Sequence, residues 1–138
     1  MTMIRICAVV LVFGATACTK NSTTPTTTPV TATRTTDTFS GTVQVGGRDF
    51  RGFTVSQTGQ VDVTLTAAGP PSTIVMGLAV GMPGDATCAP LAGASTSAQA
   101  GTAAQLSGTT SAGTLCVQVY DIGNQTAPVS YTVTVTHP

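Results

Sequence analysis

The chain has no tryptophan and no glutamate, one histidine and one lysine, and only 7% of its 138 residues carry a formal charge. Each shortage removes a class of function. Phosphate recognition depends on clustered Lys and Arg, and past residue 36 the only cations are Arg48 and Arg51, set against Asp37, Asp49, Asp62, Asp85 and Asp121 for a net −3. Nucleic acid is therefore not an expected partner. Catalytic zinc usually takes three His or carboxylate ligands around an open position, a poor match to one His and no Glu. A Ser-His-Asp arrangement needs a well-held imidazole. His137 stands one residue from Pro138, where chain ends tend to fray. No Gly-rich phosphate loop is present: Gly46-Gly47 reads as a hairpin turn, with no GxGxxG or GxxxxGK[ST] around it. No pair of Asp residues has a spacing that singles it out as a glycosidase pair. The inventory points away from an enzyme, and it implies no cofactor.

Long apolar runs are also missing. Ile6–Phe13 is apolar over eight residues, too few for a bilayer-spanning helix of roughly 20. It does suit the h-region of an export signal, with Arg5 before it and Gly14, Ala15 and Ala17 after it. Ala15-Thr16-Ala17-Cys18 then resembles the lipobox of bacterial lipoproteins. That resemblance implies cleavage after residue 17, lipidation of Cys18 and acylation of the new N-terminus. Several acyl chains on one residue would anchor the protein stably, where a single chain binds only marginally. Thr19 replaces the Asp that tends to hold such lipoproteins at the inner membrane, which leaves the outer membrane open where the cell has one. Simple secretion after Ala17 is the alternative, and it leaves Cys18 as an exposed free thiol.

Residues 18–36 then read as the lipidated Cys and a Thr/Pro-rich linker, KNSTTPTTTPVTATRTT after Thr19, with Pro25 and Pro29. So little apolar surface cannot offset the entropy of ordering, and the expectation is a disordered tether that holds the rest off a membrane. The Thr hydroxyls are possible sugar acceptors.

Residues 37–138 are enough for one small domain. Their apolar residues alternate. Val61, Val63 and Leu65 would face a core while Asp62, Thr64 and Thr66 face water. Tyr131, Val133 and Val135 repeat the scheme, as do Leu115, Val117 and Val119, and Phe39, Gly41, Val43 and Val45. Turn signals separate these runs at Gly46-Gly47, Gln57–Gly59, Gly69–Ser72, Pro83–Asp85 and Gly123-Asn124. No capped window of helical period survives this punctuation. The expectation is all-β: an antiparallel β-sandwich. Pro83–Gly113, rich in Ala, Ser, Thr and Gly, breaks the rhythm. It is expected to hold one or two weak strands, one at Ala103–Ser107 around Leu106, with the remainder mobile or tied down.

Cys88 and Cys116 would supply the tie. With Cys7 in the signal and Cys18 lipidated, they remain as a pair in an oxidising compartment, the usual setting for a disulfide. The rival is a reactive or metal-binding pair, weakened by the absence of neighbouring His, Lys or Arg.

The run Asp49–Val55, a turn ending at Gly59, the strand Val61–Thr66 and the closing strand Tyr131–Val135 together resemble the bacterial pre-peptidase C-terminal domain over about Asp37–Pro138. The resemblance implies a jelly-roll-like sandwich, usually a non-catalytic appendage of secreted enzymes, some of which bind calcium near the domain's start. Here no peptidase precedes it. Asp49 and Asp62 are the carboxylates to weigh for calcium, which needs six to eight oxygens. Without a DxDxDG-type run, solvated strand positions are the plainer reading, and no metal is expected. Arg48 and Arg51 read as local partners of Asp49. Tyr120 and Tyr131 are either a sugar platform or packing residues. The functional expectation is a membrane-anchored envelope lipoprotein, its sandwich a binding or structural module for another envelope protein or for itself through a strand edge. The alternative is a carbohydrate-binding module for envelope or extracellular glycan.

Overall fold

A computed structural model describes residues 33–138. The signal segment, Cys18 and the linker through residue 32 lie outside the described residues. Eight strands follow in order: β1 (Thr35–Val43), β2 (Arg48–Val55), β3 (Gly59–Gly69), β4 (Met76–Pro83), β5 (Cys88–Ala98), β6 (Leu106–Thr110), β7 (Gly113–Tyr120) and β8 (Val129–His137). They form two four-stranded antiparallel sheets, β1-β8-β3-β6 and β2-β7-β4-β5, packed face to face.

On β3 and β8 the alternation read from the sequence is the alternation of burial, while on β7 Cys116 and Gln118, which face away from the core, are buried as well. Val61, Val63 and Leu65 on β3, Tyr131, Val133 and Val135 on β8, and Leu115, Val117 and Val119 on β7 are all buried in one core. A half-covered sheet buries one face and wets the other, so period two follows. β4 departs from this. Met76 to Gly81 is buried at every residue, because its outer face, Gly77, Ala79 and Gly81, is also covered. The Tyr120 ring lies over Gly77, and the main chain at Ala89 lies over Gly81, each where a Cβ would otherwise stand.

Three expectations need correction. Gly46-Gly47 is not a β-hairpin turn. The turn is tight (the Gly47 N–H donates to Gln44 O at 2.7 Å, and Gly46 has φ +69°), but β1 and β2 belong to different sheets. Among the eight strands only β4 and β5 are both consecutive and hydrogen-bonded. Val45 is not on the core face: β1 ends at Val43, and Val45 lies exposed in that turn. The segment Pro83–Gly113 is more ordered than its composition suggests. It holds the 11-residue β5 as well as β6, which begins at Leu106, three residues later than expected. Ala and Ser alternate weakly there, so pairing with β4 and β3 sets the strands, not side-chain period.

The fold also takes in Thr35 and Thr36, which composition assigns to the linker. Both pair with β8, and the Thr36 and Thr136 hydroxyls meet at 2.9 Å. Arg34 fastens this end. Its guanidinium donates to Asp62 Oδ2 at 2.6 Å, to Thr136 O at 3.0 Å and to Gln60 O at 3.3 Å. Burial pushes the Asp62 carboxyl up, but hydrogen bonds from Ser107, Gln60 and Arg34 outweigh it and hold the group below the usual range.

Candidate functional site

A sandwich of two four-stranded sheets has two lateral sides, and here they differ. On one side run β5 and β6, on the other β1 and β2.

Between β5 and β6 the two sheets leave space unfilled. A cleft of about 220 Å³ opens there, floored by Val61, Val63 and Val80 and flanked by Leu91–Ala94 and Leu106–Thr110. None of these residues is charged. The cause is local. Ala79 pairs with Ser95 and Gly81 with Pro90, so Val80 alone opposes Leu91, Ala92, Gly93 and Ala94. β5 swings away from β4 over those four residues, with Gly93 at φ +74°, a conformation that suits glycine. The start of β5 is drawn over the outer face of β4 by the disulfide between Cys88 and Cys116, whose Cα atoms are 5.9 Å apart. Gly81 admits that crossing, since a side chain there would strike Ala89. The pair predicted from the sequence is thus bonded, and the reactive or metal-binding reading of it is set aside.

The opposite side is closed by polar groups. Asp49 on β2 points inward and spans the gap to β8, where its Oδ2 accepts the Tyr131 hydroxyl at 2.9 Å. Its Oδ1 accepts Arg51 Nη1 at 2.5 Å and the Phe50 N–H at 2.9 Å. The carboxylate passes through the place a side chain would occupy at Gly41, on β1. Burial and then the Asp49 carboxylate push the Tyr131 phenol well above its ordinary value. Tyr131 is only 3% exposed, so it is a packing residue and not half of a sugar platform. Tyr120, half-buried over Gly77, is the one tyrosine with an accessible ring. Arg48 is exposed at the start of β2 and pairs by register with Tyr120, not by side chain with Asp49.

His137 is not frayed. It is 4% exposed, its ring packs 5.4 Å from that of Phe53, and its Nε2 lies 3.1 Å from Asp37 Oδ2. The expectation of a loose terminal imidazole was wrong because β8 runs to His137 with β1 paired alongside. No serine or threonine side chain hydrogen-bonds to this ring among the described residues.

The carboxylates weighed for calcium are apart and engaged. Asp49 serves Tyr131 and Arg51, Asp62 serves Arg34 and Gln60, and Asp121 accepts the N–H groups of Gly46, Gly123, Asn124 and Gln125. Those N–H groups, Gly46 first, hold the Asp121 carboxyl below the usual range. Asp121 thereby ties the β1–β2 turn to the β7–β8 loop. Among the described residues no three His, Cys or Asp side chains gather as a metal site. The sequence missed the cleft and the Asp49–Tyr131 bridge. The one available signal for the cleft was the scarcity of large side chains across Pro83–Gly113, where Leu91 and Leu106 are the exceptions; nothing local marks a bridge between residues 82 apart.

No family model matches the chain, and a search of curated proteins returns no matching relative.

Proposed function

We propose that this is an exported, lipid-anchored envelope lipoprotein whose sandwich is a non-catalytic binding or structural module. The observation that carries it is the disposition of its cysteines. Cys88 and Cys116 are bridged within the sandwich, as suits an oxidising compartment. Past the apolar h-region this leaves Cys18 as the sole remaining cysteine, and it sits in the lipobox-like Ala15-Thr16-Ala17-Cys18. Cleavage before Cys18 and its acylation would place the cell-envelope membrane at the N-terminal end, with the Thr/Pro-rich residues as spacer. The cleft and the strand edges offer binding surface, and no described cluster supplies a nucleophile with a base.

The finer fold reading is a jelly roll. The orders β1-β8-β3-β6 and β2-β7-β4-β5 support it, since nested pairing of first with last and second with next-to-last strands makes the two Greek keys of that architecture. The likeness to the pre-peptidase C-terminal domain belongs to the same proposal; β2, β3 and β8 carry it.

The test is the intact mass of the protein from native membranes, with and without reduction and thiol alkylation. The expected result is a mass for Cys18–Pro138 plus acyl chains, with two thiols appearing only on reduction. An unacylated mass in the soluble fraction would overturn the anchor.

A further inference from the structure

Four strands lie at sheet edges, and three are guarded against pairing. β6 is only five residues long. β5 leaves the sheet plane over Leu91–Ala94 and carries Pro90. β2 carries three charged side chains, Arg48, Asp49 and Arg51, within its first four residues. Short edges, prolines, bulges and charged side chains on the edge are the devices that keep strand edges from recruiting another strand. β1 has none of these in effect. All nine of its residues pair with β8 without a register shift. It contains no Pro, Lys or Arg, and its one charge, Asp37, is occupied by His137. Alternate N–H and C=O groups of an edge strand point away from its neighbour, and none of β1's finds another backbone partner among the described residues.

We propose that this edge pairs antiparallel with β1 of a second copy about Phe39, joining two four-stranded sheets into one continuous sheet. The sequence TTDTFSGTV complements itself in that register. Asp37 faces Gly41 of the partner subunit, so no carboxylates oppose each other. Thr36 faces Thr42 of the partner subunit, and Thr38 faces Ser40 of the partner subunit; cross-strand hydroxyl pairs of this kind are favourable. Phe39, half-buried at the rim of the core, meets Phe39 of the partner subunit on the same face. A shift of one residue would turn the apolar faces to opposite sides, and a shift of two shortens the overlap. Two-fold symmetry closes the pair and leaves no further β1 edge to propagate.

This inference rests on the reading of the sandwich as an interaction module, and not on the anchor, since the purified chain pairs or does not whether or not Cys18 is acylated. The experiment is light scattering on the full chain in detergent, with β-structure checked by circular dichroism across a dilution series. The expected mass is that of a dimer at high concentration, dissociating on dilution. T38K puts two like charges on the shared face and is expected to weaken association at least tenfold. S40K, on the same face, does the same and covers a misfolded T38K. T66K, on the exposed face of the interior strand β3, leaves it unchanged. A monomer at every concentration overturns the proposal. So does a dimer indifferent to T38K and S40K, or one broken instead by S95K on β5 or T109K on β6.

Discussion

The two lateral sides of the sandwich pose the same problem and meet it with different residues. Two sheets held about 10 Å apart need side chains long enough to span the gap at their rims. Between β1 and β2, Asp49 and Tyr131 reach each other across it, with Gly41 vacating the space between them. Between β5 and β6 Leu106 packs against the core, but Ala94 and Gly108 are small, and a gap stays open there as the cleft. A rim therefore closes or opens according to the volume and polarity of a few inward positions. The disulfide crosses the outer face of β4 and holds the start of β5, one of the two strands that flank the open side.

The largest effect is expected from the staple. Replacing both Cys88 and Cys116 by Ala frees a loop with a sequence separation of 28, for which the chain-entropy model gives a loss of about 3–4 kcal/mol. Urea unfolding measures the total, and amide exchange locates it. Protection should fall first along β5, whose start the bridge holds over Gly81, while β1 and β2 keep theirs until global unfolding. Equal loss on both sides would mean that the rims are one cooperative unit.

The closed side is attacked at Gly41 and Tyr131. Gly41→Val places a side chain where the Asp49 carboxylate sits and against the Tyr131 ring. Overpacking of this kind costs about 1–3 kcal/mol. Tyr131→Phe keeps the packing and removes one hydrogen bond to a partly solvated carboxylate that retains Arg51 and the Phe50 N–H; the expected cost is about 1 kcal/mol. The pH profile separates the two. The Tyr131 phenol titrates higher in the folded than in the unfolded chain. Its contribution is therefore complete below the unfolded value near 10 and declines as pH rises past it, because only the unfolded chain then releases the proton. Wild type should lose stability above about pH 10 more steeply than Tyr131→Phe. Parallel profiles would show that neither burial nor Asp49 holds the phenol in its protonated form.

How much of this was visible beforehand follows the same division. The strands β3 and β8 were legible because one face meets core and the other is polar and wetted, which writes period two into Val61–Leu65 and Tyr131–Val135; on β7 the alternation of Leu115, Val117 and Val119 shows only because Gln118 between them, though buried, is polar. The cysteine pair was legible by elimination. β4 was not read as a strand because its covered outer face is made of Gly77, Ala79 and Gly81, so Met76–Gly81 carries no alternation of apolar with polar. β5 was missed for the converse reason: nearly all of it is exposed or small, and its pairing partner decides its conformation. The Asp49–Tyr131 bridge and the engaged His137 depend on which strands become neighbours. Only topology sets that, since neither residue's surroundings in the chain name its partner.

The smallest expected effect is also the sharpest test of why the open side is open. Gly108 on β6 pairs with Val61, shares its inward face, and has nothing within 4 Å of where a Cβ would be. Its backbone is not in the left-handed region. A branched side chain there would relieve the entropic cost of a strand glycine, about 0.5–1 kcal/mol, and would add apolar contact in the cleft. Gly108→Val is thus predicted to raise stability by about 1 kcal/mol, read as a higher midpoint in urea with an unchanged slope. If the cleft exists because the residues there are too small, filling it narrows the difference between the two rims, and β5 gains protection against amide exchange together with β6. If stability falls instead, the space is not free, and the two strands approach in solution. The contrast between a closed rim and an open one would then reduce to a difference in polarity alone.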